Sequence, residues 1–313
     1  MGAAEQLSQG HENQLLEVFL SGKDPKTIEA YQHDLTCFSS FLGCSGIEDL
    51  AGRFLVLEQG PANYEVLRYR NQLVDNGLSS STINRRLATI RSMTKLARVI
   101  GLINWHVEVQ NIRNEPHRDT SGPGIEAFRA MIKKVSKSGD IKSRRNHALL
   151  RVMFDLALRA SELCSLKLSD LELNRDRISV KGKRDRQPRF LTISPETKAV
   201  LIDWLRVRGD HPGPLFPSLN RSSVNSPMTR QALYQIVKKY GEQANVKTRP
   251  HAIRHLSITE ACKCANEAGI PLEEVLSFSR HSSVSTLMIY RDQIEDSQGK
   301  ISKLLTNSLK EPK

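Results

Sequence analysis

In the stretch KTIEAYQHDLTCFSSFL, apolar residues return every three or four positions at Ile28, Tyr31, Leu35, Phe38 and Leu42, a spacing that predicts an amphipathic helix. SSSTINRRLATIRSMTKLARVIG predicts a second one: serines offer an N-cap, Ile83, Leu87, Ile90 and Ala97 form the apolar face, and Gly101 closes it. The periodicity then fades in RNEPHRDTSGPGIEAF, where Pro116, Ser121, Gly122, Pro123 and Gly124 cluster, and a new helical pattern begins near Ile125. This divides the chain into a helical domain over 1–114, a linker over 115–122 and a larger domain over 123–313. Within the larger domain, RISVKGKRDRQPRFLTI interrupts the helical pattern: two β-branched runs flank Gly182 and a basic turn, predicting a strand pair. The expected fold class is mainly α, or α+β: a helical first domain and a mostly helical second domain with a small antiparallel sheet. There is no internal repeat, heptad array or low-complexity tract.

Charge narrows the partner class. The 313 residues carry a formal net charge of +12 with a sequence pI near 9.6. An excess of that sign favours a polyanion, because each phosphate met by Lys or Arg releases condensed counterions. On the second predicted helix, Arg91, Lys95 and Arg98 fall within about 60° of one another beside the apolar face. That stripe suits either solvent or the phosphates of a nucleic acid.

Cysteine usage is uninformative about chemistry. Cys37, Cys44, Cys164, Cys262 and Cys264 are odd in number and scattered, and the thiols of CKC would point about 200° apart on a helix, so no disulfide framework or zinc site is expected. The start MGAAEQLSQGHENQ lacks a signal-peptide pattern, and no apolar run reaches about 18 residues, so a cytoplasmic protein without membrane partners is expected.

Three short stretches carry candidate chemistry. In PHAIRH, Pro250 can open a helix, and His251 and Arg254 stand three residues apart on one face. In LALRASELC, Arg159 follows an apolar run, which leaves it either paired with Glu162 or Asp155 or held for an external anion. In HSSVSTLMIYRD, His281 and Tyr290 stand nine residues apart; on one continuous helix they would be separated by about 900° of rotation and about 13.5 Å of rise. Sharing a phosphate would require a break, for which the intervening serines and threonine are suited. Taken alone, Tyr290 reads as a half-buried packing residue beside Leu287 and Ile289.

Together, Arg159, the basic hairpin, HAIRH and HSSVSTLMIY resemble, in order and approximate spacing, the tyrosine recombinase or phage integrase family. The resemblance spans nearly the whole chain. The first domain resembles the family's helical SAM-like core-binding domain, and the part after the linker its catalytic domain. With little chain before the first helix, the simple two-domain Xer or Cre type is the closer comparison.

Carried over position by position, the resemblance makes Tyr290 the nucleophile, Arg159 and Arg254 the clamps on a scissile phosphate, and Lys183 in VKGKRDR the hairpin lysine, with Lys181 as its rival. His251 and His281 match the two histidine positions, while His255, Glu162 and Asp170 match structural ones. Further DNA contacts are expected from Arg91, Lys95, Arg98, Lys181, Arg184 and Arg280. The implied activity is site-specific recombination of double-stranded DNA through a 3′-phosphotyrosyl intermediate, in a homotetramer, with neither metal nor cofactor. An accessory protein or partner recombinase is compatible with it, and residues 291–310 are expected to form a terminal helix linking protomers. A type IB topoisomerase and a non-cleaving DNA-binding regulator share enough of the pattern to stand as alternatives.

This chain departs from the family pattern in three places. The interval from Arg254 to His281 is longer than expected, suggesting a loop insertion near CKCANEAGIPLEE. Arg280 stands where glycine is usual, which implies that the turn avoids a positive φ or that the backbone differs. Ala157 opens an Ala-Leu-Arg in place of Gly-Leu-Arg, a change expected to be mild.

Overall fold

The computed structural model describes residues 15–113, 122–182, 187–220 and 225–281, together with Val284, Leu287, Ser302 and Leu305. The chain forms two compact units, Met1–His117 and Arg118–Lys313, each with its own core.

After a helical stretch at 15–20, the first unit is built from α1 (Pro25–Phe41), α2 (Ile47–Phe54), α3 (Gln59–Asp75) and α4 (Ser80–Val99). Caps set the starts of two of these helices: the Asp24 side chain accepts from the Lys26 amide and that of Ser79 from the Thr82 amide. The predicted α4 face is buried throughout, with Ile83, Leu87, Ile90 and Ala97 all in the core. On α1, Leu35 and Phe38 are fully buried, while Ile28, Tyr31 and Leu42 are half-buried. The Phe38 ring meets Phe54 edge-on at 5.1 Å and Tyr69 at 5.0 Å, so three helices share one aromatic centre. Asp34 is buried beside it, accepting from the Arg85 guanidinium and, at 2.9 Å, from the Thr89 hydroxyl. A carboxylate there is tolerable because these donors replace its water.

The second unit contains α5 (Ile125–Ser136), α6 (Ile141–Asp155) and α7 (Ala160–Ser165), then the sheet β1 (Leu171–Glu172), β2 (Arg177–Val180) and β3 (Arg189–Thr192), then α8 (Pro195–Arg208), α9 (Arg230–Gln243), α10 (Pro250–Glu267) and α11 (Leu272–Ser279). Its core gathers Leu149, Met153, Leu201, Trp204, Leu233, Val237 and Ile253 from four helices. The Trp204 indole donates to the Leu215 carbonyl at 3.0 Å, which permits its complete burial. The sheet is antiparallel in the order β1-β2-β3, with Arg177 opposite Thr192 and Val180 opposite Arg189. The expected strand pair is β2 and β3; β1 is an addition, too short at two residues to show an alternation in sequence.

The longer interval before His281 is accommodated without a loop insertion. CKCANE lies within α10, and only residues 268–271 separate α10 from α11. Gly269, at φ +68°, closes the helix in a Schellman turn, with its amide on the Asn266 carbonyl and that of Ile270 on the Ala265 carbonyl. Gly122, expected in the linker, packs against the start of α10. A Cβ there would stand 2.7 Å from the Ala252 carbonyl oxygen, so only glycine fits this approach to the turn that carries His251.

Candidate active site

α6 ends in a Schellman turn whose left-handed residue is Ala157, at φ +44°; the Ala157 amide bonds to the Phe154 carbonyl and the Leu158 amide to the Met153 carbonyl. This reversal brings Arg159 to the start of α7. There its backbone amide donates to Glu162 at 2.9 Å and its guanidinium to the same carboxylate at 2.8 Å. Of the two candidate partners, Glu162 is therefore the one engaged, while Asp155 pairs with Arg151 at 2.8 Å. The Arg159 side chain keeps 42% of its surface exposed, whereas Glu162 is buried.

Arg254 is held more deeply, at 2% exposure. On the inner side of α10, its guanidinium donates to the Ala157 carbonyl and, at 2.5 Å, to the Ser279 carbonyl. Arg159 in turn reaches the Arg280 carbonyl at 3.4 Å. The two arginines thus rest on consecutive carbonyl oxygens at the end of α11, directly before His281. Sequence order gives no hint of this, because the donors lie 95 positions apart and meet only through a third segment.

Burial pushes the His281 ring down to a pKa of about 4, assisted by the charges of Arg254, Arg159 and Arg280. At neutral pH it is an uncharged imidazole, able to donate a hydrogen bond without adding to the positive charge. His255 is also pushed down to about 4, first by burial and then by His251 and Arg254. Its Nε2 lies 2.7 Å from Nε2 of the more exposed His251. The expectation of a structural His255 omitted this contact, although an interval of four residues on a helix would have allowed it.

Arg280 corrects two expectations. It caps α11 at φ +54°, so the turn keeps a positive φ despite the lack of glycine. Its side chain does not extend outward as a DNA contact would: 6% is exposed, and it donates to the carbonyls of Leu156 and Ala157, each at 2.9 Å, and to Glu162 at 3.1 Å. The Ala-Leu-Arg change is also less mild than expected, since Ala157 is held in the left-handed region, which costs an L-residue with a Cβ about 1 kcal/mol.

Lys181 is exposed where β2 leaves the sheet. Lys183, Arg184 and Tyr290 lie outside the described residues, as do residues 291–310 apart from Ser302 and Leu305. On α4, Lys95 and Arg98 are exposed, whereas Arg91 is half-buried and donates to the Val109 carbonyl at 2.8 Å and the Asn111 side chain at 2.7 Å. Asp170 caps its own turn, accepting from the Lys167 amide at 2.8 Å. Among the described residues, no helix is long and apolar enough to cross a membrane, and no group of three His, Cys, Asp or Glu side chains could hold a metal ion.

Comparison with known proteins defines the class. The Phage integrase family matches residues 126–296, and the Phage integrase N-terminal SAM-like domain matches residues 13–99. A tyrosine recombinase of Synechocystis sp. is 32% identical over 311 residues, covering 97% of each chain. Another, from Synechococcus elongatus, is 34% identical over 294 residues, covering 92% of this chain and 91% of the relative. The Tn1549 transposon integrase, solved in complex with transposon right end DNA, superposes with a TM-score of 0.70 at 15% identity, covering 93% of this chain and 98% of that one. A lambda integrase dimer bound to a core site gives 0.68 at 14%, covering 91% and 95%. The chain belongs to the phage integrase family and is a tyrosine site-specific recombinase.

Proposed function

We propose that this protein cleaves and rejoins double-stranded DNA through Tyr290, exchanging strands within a homotetramer assembled on paired sites. The observation that carries this reading is the seating of Arg159 and Arg254 on the consecutive carbonyls of Arg280 and Ser279. Two forked cations held side by side beside a neutral imidazole suit a phosphate diester, whose non-bridging oxygens gain charge in the transition state. DNA in the solved integrase complexes supports duplex DNA as the partner.

In this mechanism the Tyr290 phenol oxygen attacks phosphorus as His251 assists removal of its proton, because a phenol with a pKa near 10 is mostly protonated at neutral pH. The bond from phosphorus to the 5′ oxygen breaks, and Lys183, which falls between β2 and β3 in the sequence, supplies the proton to that oxygen. Arg159 and Arg254 hold the phosphoryl oxygens, and His281 donates a hydrogen bond. The 3′-phosphotyrosyl ester keeps one phosphoester bond for the one broken, so a 5′ hydroxyl can attack it and religate without an external energy source. Residues 1–114 and residues 123–313 would each grip the DNA, with the segment after Tyr290 docking on a neighbouring protomer.

The test is to incubate the purified protein with fragmented genomic DNA from its source, denature with detergent, and sequence the covalently attached DNA. Wild type should give adducts at a defined site, and Tyr290→Phe none. Adducts without partner exchange on paired sites would favour a relaxing topoisomerase. DNA binding with no adduct from either protein would favour a regulator.

A further inference from the structure

Two residues in this site adopt left-handed backbone conformations despite carrying side chains: Ala157, at φ +44°, and Arg280, at φ +54°. The Arg280 guanidinium bonds to the carbonyl of the first of these residues. It is also buried among like charges: burial disfavours its cationic form, Arg159 and Arg189 add to that penalty, and Glu162 offsets it. A buried third arginine beside two others is an expensive arrangement unless its bonds serve a purpose.

Those bonds form a closed pattern. Glu162 accepts from Arg159 at 2.8 Å through one carboxylate oxygen and from Arg280 at 3.1 Å through the other. The Ala157 carbonyl accepts from Arg254 and, at 2.9 Å, from Arg280. Arg280 therefore shares one acceptor with each of the other arginines, and its own carbonyl receives Arg159. The shared atoms belong to α7, the α6 turn and the α11 cap. A planar guanidinium with donors in a fixed fork can span them, whereas a single ammonium would have to choose.

We infer that Arg280 is a positioning residue that fixes Arg159 and Arg254 relative to one another, bracing the phosphate clamp from behind through Glu162 and the Ala157 carbonyl. The inference rests on the proposed role of the two arginines in cleavage, but the brace itself can be observed without cleavage.

The experiment compares wild type, Arg280→Gly and Arg280→Lys. Glycine suits the left-handed backbone, so Arg280→Gly should fold; a thermal melt confirms this before any rate is compared. Single-turnover adduct formation on a captured DNA site should slow by about tenfold to about a hundredfold in Arg280→Gly, the scale for a displaced catalytic group, with DNA affinity unchanged. Arg280→Lys should stay closer to the glycine variant than to wild type. Double variants with Arg159→Lys should be non-additive, because the two residues share Glu162. Nitrogen-15 spectra of the Arg159 and Arg254 guanidiniums give the activity-independent reading: resolved signals in wild type should broaden in Arg280→Gly. Unchanged rates and spectra in Arg280→Gly would overturn the brace. Full rescue by lysine would also overturn it, leaving charge alone as the contribution. Broadened guanidinium signals alongside a wild type that forms no adduct would uphold the brace and reject the cleavage reading.

Discussion

His251 and His255 stand one helical turn apart on α10 with their Nε2 atoms 2.7 Å apart and their rings edge to face at 84°. One of the two nitrogens must carry the proton and the other accept it, so this contact sets the tautomers of both rings. Since burial and neighbouring positive charge keep His255 down at about 4, it remains neutral through the physiological range. A neutral partner can orient His251 for proton transfer without repelling a protonated imidazole.

This arrangement predicts a specific acid sensitivity. His255 and His281 are both depressed to about 4 from an ordinary value of 6.5, so between those values the unfolded chain binds more protons than the folded one. Stability should be level above pH 6.5, fall as pH drops from about 6.5 to about 4, and lose nothing further to these groups below that. For half-exposed rings the loss should be on the order of 1 kcal/mol each after solvent screening. Urea unfolding across this range checks it, and His255→Phe should show a shallower decline than wild type.

Arg254 and Arg159 should differ in stability while matching in activity. Arg254→Ala strands the buried Ser279 carbonyl and leaves that of Ala157 with Arg280 alone, at a cost of about 2 kcal/mol. Arg159→Ala removes a partly exposed side chain and leaves Glu162 still bonded to Arg280, at a cost of about 1 kcal/mol. Either change should lower adduct formation by about 10²- to 10³-fold. Chemical denaturation and single-turnover cleavage on the same preparations separate the two effects, and equal losses of stability would contradict the difference in burial.

Ala157→Gly should stabilise the protein. Its left-handed backbone strains a residue with a Cβ, and the part of it that bonds to Arg254 and Arg280 is the carbonyl, which glycine retains. Relief of about 1 kcal/mol of strain, less about 0.5 kcal/mol for the greater chain entropy of glycine, leaves a gain of about 0.5 kcal/mol. A thermal melt should therefore shift upward. The same substitution at Arg280, also left-handed, removes the guanidinium network and should not show this gain.

These contrasts mark what the sequence could reveal. The α4 stripe was legible because Ile83, Leu87, Ile90 and Ala97 repeat with the helical period. Arg159, Arg254 and His281 could be singled out because short motifs surround them. The inward turn of Arg280 was not legible: in sequence it is one more cation in a basic chain, and its acceptors lie more than a hundred positions away. Nor could the interval before His281 reveal that its extra length is helical, since only the Schellman turn at Gly269 fixes where α10 stops.

The basic stripe on α4 likewise divides once its partners are known. Lys95 and Arg98 are exposed and available to phosphates, while Arg91 spends donors on Val109 and Asn111 and so ties the segment after α4 to the helix. If residues 1–114 grip DNA as proposed, Lys95→Gln and Arg98→Gln should each weaken binding to any duplex sequence. Each should also reduce the slope of log affinity against log salt by about 0.9, the counterion release of one phosphate contact. Arg91→Gln should instead lower the stability of the first unit by about 1 kcal/mol through its lost carbonyl bond, with a smaller change in salt slope. Titrations of a fluorescent duplex at several salt concentrations, paired with melts, check both halves. An unchanged slope for Lys95→Gln and Arg98→Gln would return that face to solvent, because a charge that meets a phosphate cannot be removed without altering the ions released.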